Sequence, residues 1–197
     1  MKQILGRWLR QCQIKSFAET ATGTVPPSRD EVVELISYLN KYKLDPTIVG
    51  SAAVLLHVKD PNFRPTHDVD IHINKEALPP LLPGWRVDKE ATGTLSWISP
   101  SGGYVDFLYP SYQFPSGEAM VKIDKQKEGE LPLADVASIF RMKLNSFRER
   151  DFSDLAGIVR VIGHFPSEKE LGKLNETQKE NLEFLKQWIA AKEKRKT

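Results

Sequence analysis

Apolar residues recur in two rhythms along this chain, and the rhythm changes near residue 135. Before that point, short alternating runs are separated by turns rich in Gly and Pro; after it, the spacing is helical throughout. Ser28-Arg-Asp-Glu31 reads as a capping box opening a helix, with Val32, Val33, Leu35, Ile36 and Leu39 as its apolar side and Asp45-Pro46 as its stop. Ile48-Val49 predicts a short strand, Gly50-Ser51 a turn, and residues 52–58 an apolar helix. A polar turn over 59–65 leads into residues 68–73, which alternate strictly with period two, the mark of a half-buried strand. A short helix is expected over 78–82. Strands are expected over 94–98 and 104–109, joined by a glycine-bearing hairpin loop at 99–103, with a weaker strand signal at 120–123. Asp135, Ser153 and Ser167-x-x-Glu170 are candidate caps in the helical half, and the last helix covers about 177–194 before a Lys/Arg-rich tail. Trp85 and Trp97 read as sheet or core packing. The fold class is α+β: a small mixed sheet flanked by helices, then an all-helical part. The segments are 1–27 (helix and linker), 28–133 (core) and 134–197 (helical region).

Composition narrows the function classes by exclusion. The 28 Lys and Arg nearly balance the 26 Asp and Glu, for a net charge of +2, so neither a polyanion-coating protein nor an acidic disordered tail is expected. A single cysteine, Cys12, excludes a disulfide framework and a cysteine-built zinc site. No apolar run approaches the roughly 18–20 residues that span a bilayer, so no membrane association and a cytoplasmic location are expected. The first 18 residues carry Lys2, Arg7, Arg10 and Lys15 without an acid, with Ile4, Leu5, Trp8 and Leu9 at helical spacing. That predicts a helix docked on the domain, with a targeting helix as the lesser alternative.

The alternation at 68–73 carries the chemistry. Side chains at i and i+2 of a strand share a face, so Asp68, Asp70 and His72 point one way while Val69, Ile71 and Ile73 point into a core. The two carboxylates start from alpha carbons ~6.6 Å apart, close enough to share a cation and to repel without one. A hard divalent ion such as Mg²⁺ suits this oxygen-rich pair. Asp has poor strand propensity, so two at alternate positions need a reason beyond a solvated edge. Upstream, Gly50-Ser51 lies between a strand and a helix, where backbone N–H groups can meet a phosphate. Asp106 sits among apolar strand residues and would be costly to bury without a partner.

Gly50-Ser51, then Arg64-Pro-Thr66-His-Asp68-Val-Asp70, then Asp106 resembles the nucleotidyltransferase superfamily with the polymerase-beta-like fold. The Arg-x-Thr-x-Asp-x-Asp form is most similar to the abortive-infection (AbiEii-like) nucleotidyltransferase toxins of toxin–antitoxin systems. The motif match covers residues 49–109 and continues more loosely to about 160. On a helical wheel Lys143 lies within the apolar face of Val136, Ile139, Phe140, Leu144 and Phe147, and the resemblance extends to Lys143 followed by Arg150-Asp151-Phe-Ser-Asp154. The resemblance implies a metal-dependent transfer of a nucleoside monophosphate from an NTP to an acceptor hydroxyl, with release of pyrophosphate. It implies Asp68, Asp70 and Asp106 as ligands of Mg²⁺ or Mn²⁺, with Asp106 also assisting deprotonation. Gly50, Ser51 and Thr66 would contact the nucleotide, Lys143 the triphosphate, and Asp151 or Asp154 would orient it or the acceptor. The acceptor is RNA, a protein or a small molecule, with RNA or protein favoured, and the terminal helices offer a surface for a protein partner.

Two other classes remain at this level. One is a nucleotidyltransferase fold kept as a silent binding or regulatory module, against which the three carboxylates argue. The other is a metal-dependent hydrolase or oxygenase, suggested by His67-Asp68 and by His72 beside Asp70. Its usual setting of several His ligands on helices is not matched, since only His57, His72 and His164 accompany His67.

Overall fold

The computed structural model describes residues 25–60, 63–64, 66–88, 95–114 and 117–194. The expected N-terminal helix and most of the linker after it lie outside the described residues.

Helix α1 (Arg29–Lys41) starts as the sequence predicts. The Ser28 hydroxyl accepts from the Glu31 N–H, and the Glu31 carboxylate reaches back to the Ser28 N–H at 2.7 Å. The same carboxylate accepts from the backbone and hydroxyl of Ser101, at 2.8 and 2.7 Å, and ties the helix to a sheet loop. These bonds hold the Glu31 carboxyl below its usual range even though partial burial pushes the other way. The helix stops earlier than Asp45-Pro46, because Lys43 and Asp45 both take left-handed backbone (φ 57° and 48°) and the last helical residue is Lys41.

Among the described residues seven strands form one sheet: β1 (Thr47–Ile48), β2 (Asp68–His72), β3 (Arg86–Val87), β4 (Leu95–Ile98), β5 (Tyr104–Leu108), β6 (Lys125–Glu128) and β7 (Leu131–Ala134). Their spatial order is β3-β4-β5-β2-β1-β7-β6, with β2/β5 and β1/β7 parallel and the other pairs antiparallel. The mixed sheet follows from the connections. Short turns give the β4/β5 and β6/β7 hairpins, whereas the parallel pairs are closed by long crossovers. Val69, Ile71, Val105 and Phe107 are fully buried on one face of the central strands, in one apolar core with residues of α1 and α2 (Gly50–Val58). Trp85 and Trp97 are buried, as expected, with Trp97 edge-on to Phe107 at 5.1 Å between centroids.

Three expectations are corrected here. Residues 78–82 form no helix, since Pro79 and Pro80 remove the N–H groups a helix needs. The strand at 120–123 is absent, and the chain pairs instead at β6 and β7, turning at Gly129 (φ 63°). β6 reads Lys-Gln-Lys-Glu, an exposed edge strand with no apolar residue, so no alternation could announce it. Ser153 caps nothing, because it lies inside a helix.

The helical half comprises α3 (Val136–Ser146), α4 (Glu149–Ile162), α5 (Glu168–Leu171) and α6 (Glu176–Lys194). Asp135 caps α3 by accepting from Ser138 N–H at 2.8 Å, and Ser167 caps α5. Phe147 turns left-handed (φ 37°) and breaks what would otherwise be one long helix. Helices α3 and α4 pack on α2 and thereby bring Lys143 and the start of α4 to the carboxylate end of β2.

Candidate active site

The parallel register of β2 and β5 sets the geometry. Asp70 lies directly beside Asp106, and Asp68 beside Tyr104, so three carboxylates stand on neighbouring positions of two central strands. β1 runs antiparallel to β2 on its other side, and the Val49 N–H donates to the Asp70 carbonyl at 2.9 Å. The chain then turns at Gly50, whose φ is 60°, and enters α2. A Cβ at Gly50 would lie 1.8 Å from Oδ2 of Asp70. Glycine is thus required twice at this position, by the left-handed backbone and by the approach of the carboxylate.

The carboxylates face a cleft of about 200 Å³, which Gly50, Ser51, Lys143 and Arg148 also line. Asp70 is half-buried. Burial, and after it the charges of Asp68 and Asp106, push its carboxyl up to about 7, against the opposing pull of Lys143 and Arg148. Asp106 is raised too, chiefly by burial, although the Ser96 hydroxyl donates to its Oδ1 at 2.5 Å and pulls it the other way. Thr66, itself buried, donates through Oγ1 to the Asp68 carbonyl at 2.9 Å and stands 3.2 Å from its Oδ1. Among the described residues no three His, Cys, Asp or Glu side chains are gathered into a ready-made ion cage. The donor set nevertheless fits a hard divalent cation: three carboxylates, no soft ligand, and mutual repulsion that a cation would relieve.

Behind the cleft lies a buried ionic cluster. The Lys143 ammonium is 4% exposed and pairs with Asp151 Oδ1 at 2.9 Å and Asp154 Oδ2 at 2.5 Å. Arg64 grips Asp154 with two bonds, Nε to Oδ1 at 2.7 Å and Nη2 to Oδ2 at 2.5 Å, and also donates to the Ser51 hydroxyl at 2.7 Å. Asp151 further accepts from the Ser146 hydroxyl at 2.7 Å, the Arg148 N–H at 3.0 Å and the Arg148 Nε at 3.1 Å. Burial alone would raise the Asp151 carboxyl, but Lys143 and Arg148 outweigh it and hold it well below the usual carboxylate range. Both Asp151 and Asp154 are fully buried and turned toward these cations. Arg64, Lys143, Arg148 and Arg150 are the cationic side chains that reach the cleft wall.

The nine residues singled out from sequence therefore occupy one neighbourhood. Gly50, Ser51, Thr66, Asp68, Asp70, Asp106 and Lys143 line the cleft, and Asp151 and Asp154 support it from within. His72 shares the strand face but lies at the far end, beside Lys125 and Asp45, with burial lowering its pKa. Sequence reasoning gave no role to Ser96, Arg64 or Arg148. Ser96 is opposite Asp106 only through the β4/β5 register, which no spacing encodes. Arg64 opens the Arg-x-Thr-x-Asp-x-Asp run, and a basic side chain so close to Asp68-Val-Asp70 is the signal that marks it.

No family model and no curated protein matches the chain. Among solved structures, an antigenic nucleotidyltransferase-like protein from Paracoccidioides brasiliensis is similar at 21% identity and a TM-score of 0.53, over 83% of this chain and 90% of that one. A second structure, from H. pylori and provisionally named a nucleotidyltransferase, matches at 13% identity over 87% of this chain and 99% of that one, with a TM-score of 0.36, too low to bear on the fold. Together with the seven-stranded mixed sheet and its flanking helices, the first likeness shows the fold of this chain to be nucleotidyltransferase-like.

Proposed function

We propose that the chain is a metal-dependent nucleotidyltransferase that moves a nucleoside monophosphate from an NTP to an acceptor hydroxyl. The observation that carries this reading is the meeting of two opposite chemistries in one cleft. Asp70 and Asp106 stand in register with Asp68 beside them, and Gly50, Ser51, Lys143 and Arg148 line the same cleft. Asp68, Asp70 and Asp106 would hold Mg²⁺ or Mn²⁺, which when bound neutralises phosphate charge and makes the acceptor hydroxyl more acidic.

The chain's own groups supply the rest. The start of α2 offers backbone N–H groups to the triphosphate, and the Cβ-free Gly50 keeps that approach open. Lys143 and Arg148 offset charge on the departing pyrophosphate. The acceptor oxygen bonds to the α-phosphorus as the bond from that phosphorus to the bridging oxygen breaks. The hydroxyl proton passes to Asp106, which stands in register with Asp70, and pyrophosphate leaves. The buried Asp151 and Asp154 act through the cations they hold. The Arg64-x-Thr66-x-Asp68-x-Asp70 run with Lys143, Asp151 and Asp154 supports an AbiEii-like toxin as the finer reading, with RNA or protein as acceptor.

Incubation with each α-labelled NTP, Mg²⁺ and total lysate tests the reading. Label should move to a macromolecular fraction with stoichiometric pyrophosphate, and Asp68→Ala should abolish both. Transfer that survives in Asp68→Ala would sink the metal assignment. NTP binding without pyrophosphate release would favour a silent module.

A further inference from the structure

A second cavity, of about 610 Å³, lies between α4 and α6 and opens beside the catalytic cleft. Its base is apolar, formed by Val159, Ile189 and the half-buried rings of Phe63 and Trp188. Its rim is cationic. Lys192 holds its ammonium 4.1 Å above the centroid of Trp188, and Arg160 is exposed and makes no ion pair among the described residues. Asp60 is the acidic lining residue. Beyond Lys192 the sequence continues with Lys194, Arg195 and Lys196.

Arg64 joins the two cavities, since it lines both. Its guanidinium is fixed by the twin bonds to Asp154 and by its bond to the Ser51 hydroxyl. The groove thus leads to the catalytic cleft past a cation that cannot swing away.

We propose that this groove binds single-stranded nucleic acid as the acceptor track of the site, a proposal that rests on the transferase reading above. Phosphates would meet Arg160, Lys192 and Arg64, and unstacked bases would lie on Phe63 and, once Lys192 lifts from the ring to a phosphate, on Trp188. Rings that stack and cations that track a backbone are the pair of features by which proteins hold single strands without reading sequence. An acidic peptide would satisfy the cations but leave the aromatic floor without planar partners. The strand's terminal hydroxyl oxygen then bonds to the α-phosphorus of the NTP, the bond to the bridging oxygen breaks, pyrophosphate departs and the proton goes to Asp106.

The test uses the full chain and two fluorescein-labelled ten-nucleotide strands of one sequence, one RNA and one DNA. Anisotropy is read at several salt concentrations for wild type and for Arg160→Glu with Lys192→Glu. Both side chains are exposed, so the fold should persist, and circular dichroism checks it. Wild type should bind, and the double variant should bind at least about tenfold more weakly. Its log–log salt slope should fall by about two, one for each lost phosphate contact. Binding of a fluorescent NTP analogue should be unchanged. A preference for RNA would assign the track to strands bearing 2′-hydroxyls, and equal binding to the backbone alone. Absence of binding to both strands, an unaffected double variant, or displacement of the strand by polyglutamate would overturn the proposal. Nucleic-acid binding without any NTP turnover would leave the groove standing and remove the transferase reading. Label transfer to protein with no strand binding would do the reverse.

Discussion

Gly50→Ala is the sharpest local perturbation this structure offers. Two costs are expected. The left-handed backbone at φ 60° costs an alanine about 1–2 kcal/mol. The new methyl would also stand 1.8 Å from Oδ2 and 2.7 Å from Cγ of Asp70, so the carboxylate must move, and forced overpacking of this kind costs about 1–3 kcal/mol. Together the loss is about 2–5 kcal/mol, or roughly 4–20 °C in Tm for a chain of this size. The two parts separate in a double-mutant cycle with Asp70→Ala. That change deletes Oδ2 and Cγ and leaves only the Asp70 Cβ, 3.1 Å from the added methyl. In the Asp70→Ala background, Gly50→Ala should cost only the backbone part. Urea unfolding of the four proteins should therefore give a coupling of about 1–3 kcal/mol. Equal costs in both backgrounds would refute the claim that Asp70 closes over Gly50, and with it the account of why glycine opens α2.

Other expectations concern charge. The folded Asp70 carboxyl sits near 7, above its unfolded value, so its contribution to stability is present at low pH and is lost as pH rises through about 7. A divalent cation should reverse that loss, so Mn²⁺ should raise Tm more at pH 8 than at pH 5; an equal shift at both would contradict it. Ser96→Ala removes the hydroxyl that stabilises the charged form of Asp106, so Mn²⁺ affinity should fall and its onset with pH should move upward, as titration calorimetry across pH would read. Lys143→Met leaves Asp151 and Asp154 buried without their shared cation, and should cost about 3–5 kcal/mol in urea unfolding. A loss below about 1 kcal/mol would mean that Arg64 and Arg148 suffice.

The central strands were legible because period two leaves a strong trace where one strand face is buried, as at 68–73. The capping boxes were legible because their hydrogen bonds are local. The β6 edge and Arg86–Val87 left no such trace, being exposed, and Leu131–Ala134 carries a Pro within its run. At the site, Asp68 and Asp70 were paired by spacing, and Lys143 stood out as a charge on an apolar helix face. The pairing of Asp70 with Asp106, the Ser96 contact and the grip of Arg64 on Asp154 depend on strand order and on the break at Phe147. Those are products of long-range packing, and residues 90 positions apart in the chain share no local pattern.

The central claim is that Asp68, Asp70 and Asp106 form a cation site facing a triphosphate held at Gly50, Ser51 and Lys143. Anomalous diffraction from a crystal grown with Mn²⁺ and an NTP analogue carrying a non-cleavable α–β bridge tests it most directly. The account predicts manganese peaks bounded by the three carboxylates, with the triphosphate at the start of α2. Manganese bound elsewhere, or a triphosphate away from Gly50 and Lys143, would contradict it.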